Sequence, residues 1–290
     1  MGYRVKHLLI GAALFMGTLS SALAGEKSQY SLFNPTPGHQ MREMSTDRPD
    51  TVETPFTVDA GHIQFETNLF GYARSRRTAD GTISHAYDLA ATNIRVGLTN
   101  AVEFNAVWQP HGIVHTRQRN PFARSRESGI GGVDLRTKIN LWGNDNFNET
   151  GSALALLPYV SLPVDRNNGI SPDHVEGGLI IPLALKLSET FEFGFNGGAR
   201  WIKSDTNAAY HTEYLASASL AYAWTDRLGT YYEVSTTFNV DDPHGSNVVV
   251  VGSGVTYAVT DNLQLDAGMN FGVTDSSDRI NPFVGFSQRF

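Results

Sequence analysis

The 290-residue chain contains no cysteine, so neither a disulfide framework nor a thiolate metal site is available to it. Charged residues are scarce at 18%, below the usual quarter or so of a soluble domain. The net charge of −7 withholds the basic face that phosphate contacts need, which excludes a general nucleic-acid binder. Long apolar runs are missing as well. Past residue 24 nothing approaches the roughly 20 apolar residues of a membrane-spanning helix. Phosphate-cradling G-x-x-x-x-G-K-[ST] and G-x-G-x-x-G motifs are absent. His39, His62, His85, His111, His115, His174 and His211 show no metal-ligand spacing with carboxylates. The His111–His115 interval pairs ligands on a helix but not on a strand. No metal or cofactor is expected.

What is present begins with an export signal. Arg4 and Lys6 precede an apolar run from Leu8 to Leu19, and Ala22-Leu23-Ala24 supplies the small-x-small pattern of a cleavage site. Residues 1–24 read as a signal peptide and 25–59 as a periplasmic leader, followed by a third region over 60–290.

That third region alternates with period 2. Ile63, Phe65, Thr67 and Leu69 alternate with Gln64, Glu66 and Asn68, and 228–240 and 263–273 behave in the same way. The stretches GLTNAVEF (97–104), KLSETFEF (186–193), AWTDRLGT (223–230) and AVTDNLQL (258–265) each place turn-forming residues between alternating flanks. A looser connection, WGNDNFNETG, occupies 142–151. Between these short turns lie longer polar segments at 74–82, 111–128, 165–173, 203–211, 241–247 and 275–281. Short turn and long loop alternate around about twelve strands, the layout of an outer-membrane barrel with periplasmic turns and external loops. A soluble sandwich shares the alternation but has shorter strands, typically about 5–6 residues. Trp108 and Trp201 fall toward the loop side and Trp142 and Trp224 beside turns, as interfacial girdles require. The expected fold is therefore all-β, a closed antiparallel transmembrane barrel.

Two resemblances add to this reading. The terminal strand PFVGFSQRF, ending on Phe290, resembles the signal by which the barrel-assembly machinery recognises outer-membrane proteins. STDRPDTVETPFTVDAGHIQFE (45–66), INLWGNDN (139–146) and ALALLPYVSLP (153–163) resemble a family of Gram-negative outer-membrane proteins. That family is labelled as transporters or as meta-pathway phenol-degradation proteins. The resemblance runs from about Met41 to Phe290 and implies a barrel that passes small, including aromatic, molecules.

The expected strand register turns Glu66, Arg95, Glu103, Asp134, Arg136, Lys138, Glu176, Lys186, Glu192, Arg200, Glu233 and Asp266 toward the lumen. A charge facing lipid near the midplane costs about 2–4 kcal/mol, so a solvated, ion-paired lumen explains them without a solute. A pore with mixed walls is the sharper reading. The leader, rich in Pro, Thr and Asp, reads on composition as flexible. Alternatively Asp47, Arg48 and Asp50 fold back and plug the periplasmic mouth. External clusters Arg74, Arg76, Arg77 and Arg117, Arg119, Arg124, Arg126 suit lipopolysaccharide phosphates or an anion funnel. A His-x-Ser-Asn run at His244, Ser246 and Asn247 resembles that of outer-membrane phospholipases. It lacks the continuing Gly-Arg-Ser and an orienting Asn, so catalysis is not expected. The expected activity is passive movement of a small-molecule solute across the outer membrane, with a closed structural or adhesive barrel as the rival reading.

Overall fold

The computed structural model describes residues 27–166, 168–204, 209–239 and 247–290. The expected signal peptide, His244 and Ser246 lie outside the described residues. No helix is long and apolar enough to cross a membrane among the described residues. Instead one antiparallel sheet closes on itself, where β1 (Ile63–Arg74) pairs on one side with β14 (Asn281–Arg289) and on the other with β2 (Ile83–Thr99).

Twelve staves make the wall, in sequence order around the barrel. Past β2 come β3 (Val102–Trp108) and β4 (His111–Gln118), then β5 (Ala123–Gly129) and β6 (Val133–Trp142). They continue through β7 (Ser152–Leu162), β8 (Glu176–Lys186), β9 (Phe191–Lys203), β10 (Tyr210–Ala223), β11 (Leu228–Asn239), β12 (Val248–Thr260) and β13 (Leu263–Gly272). A four-residue helix, α1 (Phe147–Thr150), sits in the turn between β6 and β7. All the expected turns lie at one end.

Two staves are interrupted. β2 pairs along its inner part with β3 and along its outer part with β4, so β3 and β4 are halves of one stave broken at Gln109–Pro110. Proline has no N–H to give the ladder. Opposite the break, Ala90 takes a positive φ of 56°. β5 and β6 form the next stave, broken around Gly131–Gly132. The bulge at Leu69 and Ala90 also shifts the pairing by one residue, which exchanges the inward and outward faces beyond it.

This corrects the reading of 111–128 as an external loop. The segment is a β-hairpin continuing the sheet past Trp108, with its tip at 119–122. Polar residues occupy both of its faces, and pairing with the outer half of β2 holds it without an apolar face.

The wall faces hydrocarbon with Leu69, Phe195, Val234, Val251, Val255, Leu265, Phe271 and Val284, all exposed. Trp108, Trp142, Trp201 and Trp224 are 42–61% exposed near strand ends, where amphipathic rings prefer to sit. Phe290 is 69% exposed, pairs with Ile63 through its N–H (2.8 Å) and meets the Phe65 ring at 5.9 Å.

The interior is polar and filled. Described from residue 27, the leader runs across the turn end and up into the lumen, with little regular structure. Composition suggested a flexible tail, yet Val52, Thr57, Val58, Asp59 and Ala60 are all buried. Leu32 donates to the Leu98 carbonyl (2.8 Å) and Gly61 to that of Gly97 (2.8 Å), stitching the leader to the inner end of β2. Gly97 is required there, because a Cβ would overlap the Asp59 carbonyl.

Candidate functional site

The lumen divides into an ionic floor at the periplasmic end and an outer chamber. The floor is built by strand residues that alternate inward and by the leader run 47–53 between them. Arg95 on β2 is fully buried. Its Nε and Nη2 donate to the two Glu103 oxygens at 3.0 Å each, and Nη1 donates to Glu66 at 2.7 Å. Arg95 also lies 3.3 Å from Asp47. Lys138, equally buried, donates to both Asp47 oxygens at 2.6 and 2.8 Å. The Asp47 N–H donates to Glu66, and the Val58 N–H donates to Glu103 at 2.6 Å. Main chain and side chains of the leader thus complete a network the strands leave open.

Mutual pairing explains why such a cluster stays buried. Around Arg95 and Lys138 stand Asp47, Glu66 and Glu103, all within ion-pair or hydrogen-bond distance. Buried charge is tolerated when paired and fully hydrogen-bonded. Burial alone would raise the Asp47 carboxyl. The Arg95 and Lys138 charges outweigh it and hold Asp47 well below the usual carboxylate range.

Further links pin the rest of the run. Arg48 forks onto Asp266 of β13 at 2.7 and 3.2 Å, in space left by Gly285, where a Cβ would strike its guanidinium. The Thr51 N–H and hydroxyl donate to Glu233 at 2.7 and 2.8 Å. Glu53 accepts from Arg136 at 2.7 Å, and Arg136 also donates to Asp134 at 2.8 Å. Burial, with the Asp47 charge nearby, pushes Glu53 up to about 7. Asn140 donates to the Pro55 carbonyl at 2.9 Å. At the rim, Arg42 joins Asn100, Thr57, Asp59 and Asp145, while Arg289 donates to the Arg42 carbonyl.

Eight of the twelve sequence-derived lumen residues therefore gather on the leader or its partners: Glu66, Arg95, Glu103, Asp134, Arg136, Lys138, Glu233 and Asp266. The other four stand apart. Arg200 pairs with Glu213 at 2.6 Å, and Glu176 begins β8 at the same outer level. Lys186 pairs with Glu189 in the turn, at the rim. Glu192 lines a cavity of about 290 Å³ between leader and wall, shared with Asp50, Val52 and Tyr231. The sequence reading missed Glu53, Gln64, Asn105, Asn140 and Glu213. The last four share the inward parity of the charged residues beside them, which was the available signal.

Above the floor the chamber has two unlike walls. Parity fixed by Glu233, Asn196 and Arg200 turns Ile180, Leu215, Val248 and Val250 inward: Ile180 and Leu215 flank Gly198, Val250 faces Ser235 and Val248 faces Thr237. Opposite, Asn68 and Gln109 donate to Asp88 at 2.7 and 3.0 Å. Asn68, Asp88, Asn270, Asn281 and Phe283 surround a cavity of about 230 Å³ whose base is Arg48 and Pro49. The segment 168–175 reaches in from outside, bringing Ile170 against Gly112.

Several comparisons bear on this barrel. A family model described as "Putative MetA-pathway of phenol degradation" matches residues 46–290. No curated protein matches. Among solved structures, the transport unit of the autotransporter AIDA-I from Escherichia coli aligns with a TM-score of 0.52 and 9% identity, covering 84% of this chain and 92% of that one. The translocator domain of the autotransporter NalP from Neisseria meningitidis gives 0.48 and 10% identity, with 79% and 88% covered. The NanC porin gives 0.47 and 9%, with 77% and 98% covered. At such identities the AIDA-I likeness speaks for the fold, that of an outer-membrane barrel.

Proposed function

We propose, for a chain that belongs to this phenol-degradation family of outer-membrane barrels, that it is a channel for small amphipathic compounds of about the size of a phenol. In this reading the leader closes its inner end. One observation carries the reading: an aliphatic wall faces an amide and carboxylate wall above the ionic floor. A ring with one polar substituent finds a matching surface on each wall as it passes, whereas a sugar leaves the aliphatic wall unmatched and an alkane leaves Asp88 and its amides without a guest. Ligand sites share this composition, apolar surface with a few placed polar groups. The interspersed charges of the floor favour neither anions nor cations strongly.

The test is flux into proteoliposomes. Phenol and benzoate should enter faster than a pentose of similar size, and Leu215→Asn with Val250→Asn should narrow that preference. Equal flux for ring and sugar would overturn the assignment of solute. A second reading, a structural barrel whose lumen stays shut, draws on the same buried floor. It predicts no conductance from the native protein and none after the floor is loosened by Lys138→Met.

A further inference from the structure

Past the outer tryptophan level, the β4–β5 hairpin and the outer half of β2 stand clear of the barrel and present an outward face. Register places His85 of β2, His115 and Arg117 of β4, and Arg124 and Arg126 of β5 on it. The inward face is different. Ser84 and Thr116 share a hydrogen bond at 2.9 Å, and Glu127 lies against Gly169 of the incoming loop. Charge is therefore sorted across a single sheet, cations outward and the acid inward.

The pairing within that outward face is unfavourable by itself. Arg117 stands directly opposite Arg124, and His115 directly opposite both Arg126 and His85. Like charges facing each other across a ladder, as Arg117 and Arg124 do, are destabilising. Arg117, Arg124 and Arg126 form no ion pair among the described residues, and Arg124 instead lies over the Phe122 ring at 5.1 Å. An anion bridging the ladder would remove the repulsion. The position says which anion. Directly below, the same face passes through Tyr72 and Tyr87 to Phe70 and Trp108, the surface that meets hydrocarbon. A bound anion therefore sits where the headgroups of the outer leaflet begin.

We propose that the outward face of the β4–β5 hairpin binds the phosphate groups of an outer-leaflet phosphoglycolipid, with Arg117, Arg124 and Arg126 as its ligands. Guanidinium forks match phosphate oxygens in pairs, and the Tyr and Phe residues below accept the acyl chains. The test uses the full chain in detergent and bisphosphorylated lipid A as probe, beside dephosphorylated lipid A and inorganic phosphate. Binding of the bisphosphorylated lipid should be at least about tenfold tighter than of the dephosphorylated one, and should weaken with salt. Arg117→Gln with Arg124→Gln and Arg126→Gln should lose about tenfold or more, while Glu127→Gln on the inward face should not change it. Retention of the heat-dependent gel shift reports that the triple variant is folded. Should it fail to fold, Arg124→Gln and Arg126→Gln are measured singly, each expected to weaken binding. Undiminished binding by the folded variants, equal binding of dephosphorylated lipid A, or inorganic phosphate matching the lipid in affinity would each overturn the proposal.

Discussion

The leader and the β4–β5 hairpin read alike in sequence, as polar stretches without a sustained apolar pattern, and they fold in opposite ways. The leader has almost no regular secondary structure yet buries Asp47, Val52, Pro55, Thr57, Val58, Asp59 and Ala60. The hairpin is regular strand yet nearly all exposed along β5. The difference is where each finds partners for its polar groups. Leader N–H and carbonyl groups are satisfied by side chains that other strands project inward, such as Glu103, Arg95 and Asn140. The hairpin satisfies its own backbone through its ladder and leaves its side chains to whatever lies outside. Regularity and burial are separate properties, and polar chain can be ordered by either route.

The sharpest way to break the comparison is to remove one cation from the floor. Arg95→Met leaves Glu66 and Glu103 buried with Lys138 alone, and uncompensated buried charge costs about 3–5 kcal/mol. A marked drop in the temperature of the heat-dependent gel shift is expected. An unchanged transition would mean that the leader does not depend on this network. Next in size is Gly97→Val, whose side chain collides with the Asp59 carbonyl. It should lift the leader without touching a charge, raising single-channel conductance and exposing 27–58 to protease while the barrel stays folded.

A smaller effect concerns pH. Glu53 titrates near 7 when docked and near its ordinary value of 4.5 when released. A raised folded value means the docked state prefers the protonated acid. Its contribution to docking is complete below about 4.5 and is lost as pH rises through 7. Channel-open probability should therefore increase between pH 5 and 8, and Glu53→Gln should flatten that dependence. The smallest effect belongs to the hairpin: Arg124→Gln with Arg126→Gln should move the thermal transition of the lipid-free protein by no more than about 0.5 kcal/mol equivalent. A large loss of stability would show that the hairpin is integral to the wall.

Particular residues show how far the sequence could be read. The alternation around Glu66, Glu103 and Lys138 specifies an inward face, because period 2 admits only two faces and lipid excludes charge from one. The same parity extends to Gln64, Asn105 and Asn140, although charge had drawn attention elsewhere. Leu69 and Ala90 mark where that logic stops, since a bulge reverses the faces and leaves no compositional trace. The leader was harder still: Asp47 and Arg48 are acid and base in a proline-rich run, and nothing near them in sequence indicates that Lys138 and Asp266 are their partners.

The sequence by itself determined the barrel, its wall and the ends that face each side, since these follow from local alternation and turn chemistry against a hydrocarbon solvent. Only the tertiary structure decided that the leader folds into the lumen and that the arginine ladder lies on the outward face of its sheet. Both depend on residues scores of positions apart meeting across a closed surface, and such pairing energy is absent from any local stretch of chain.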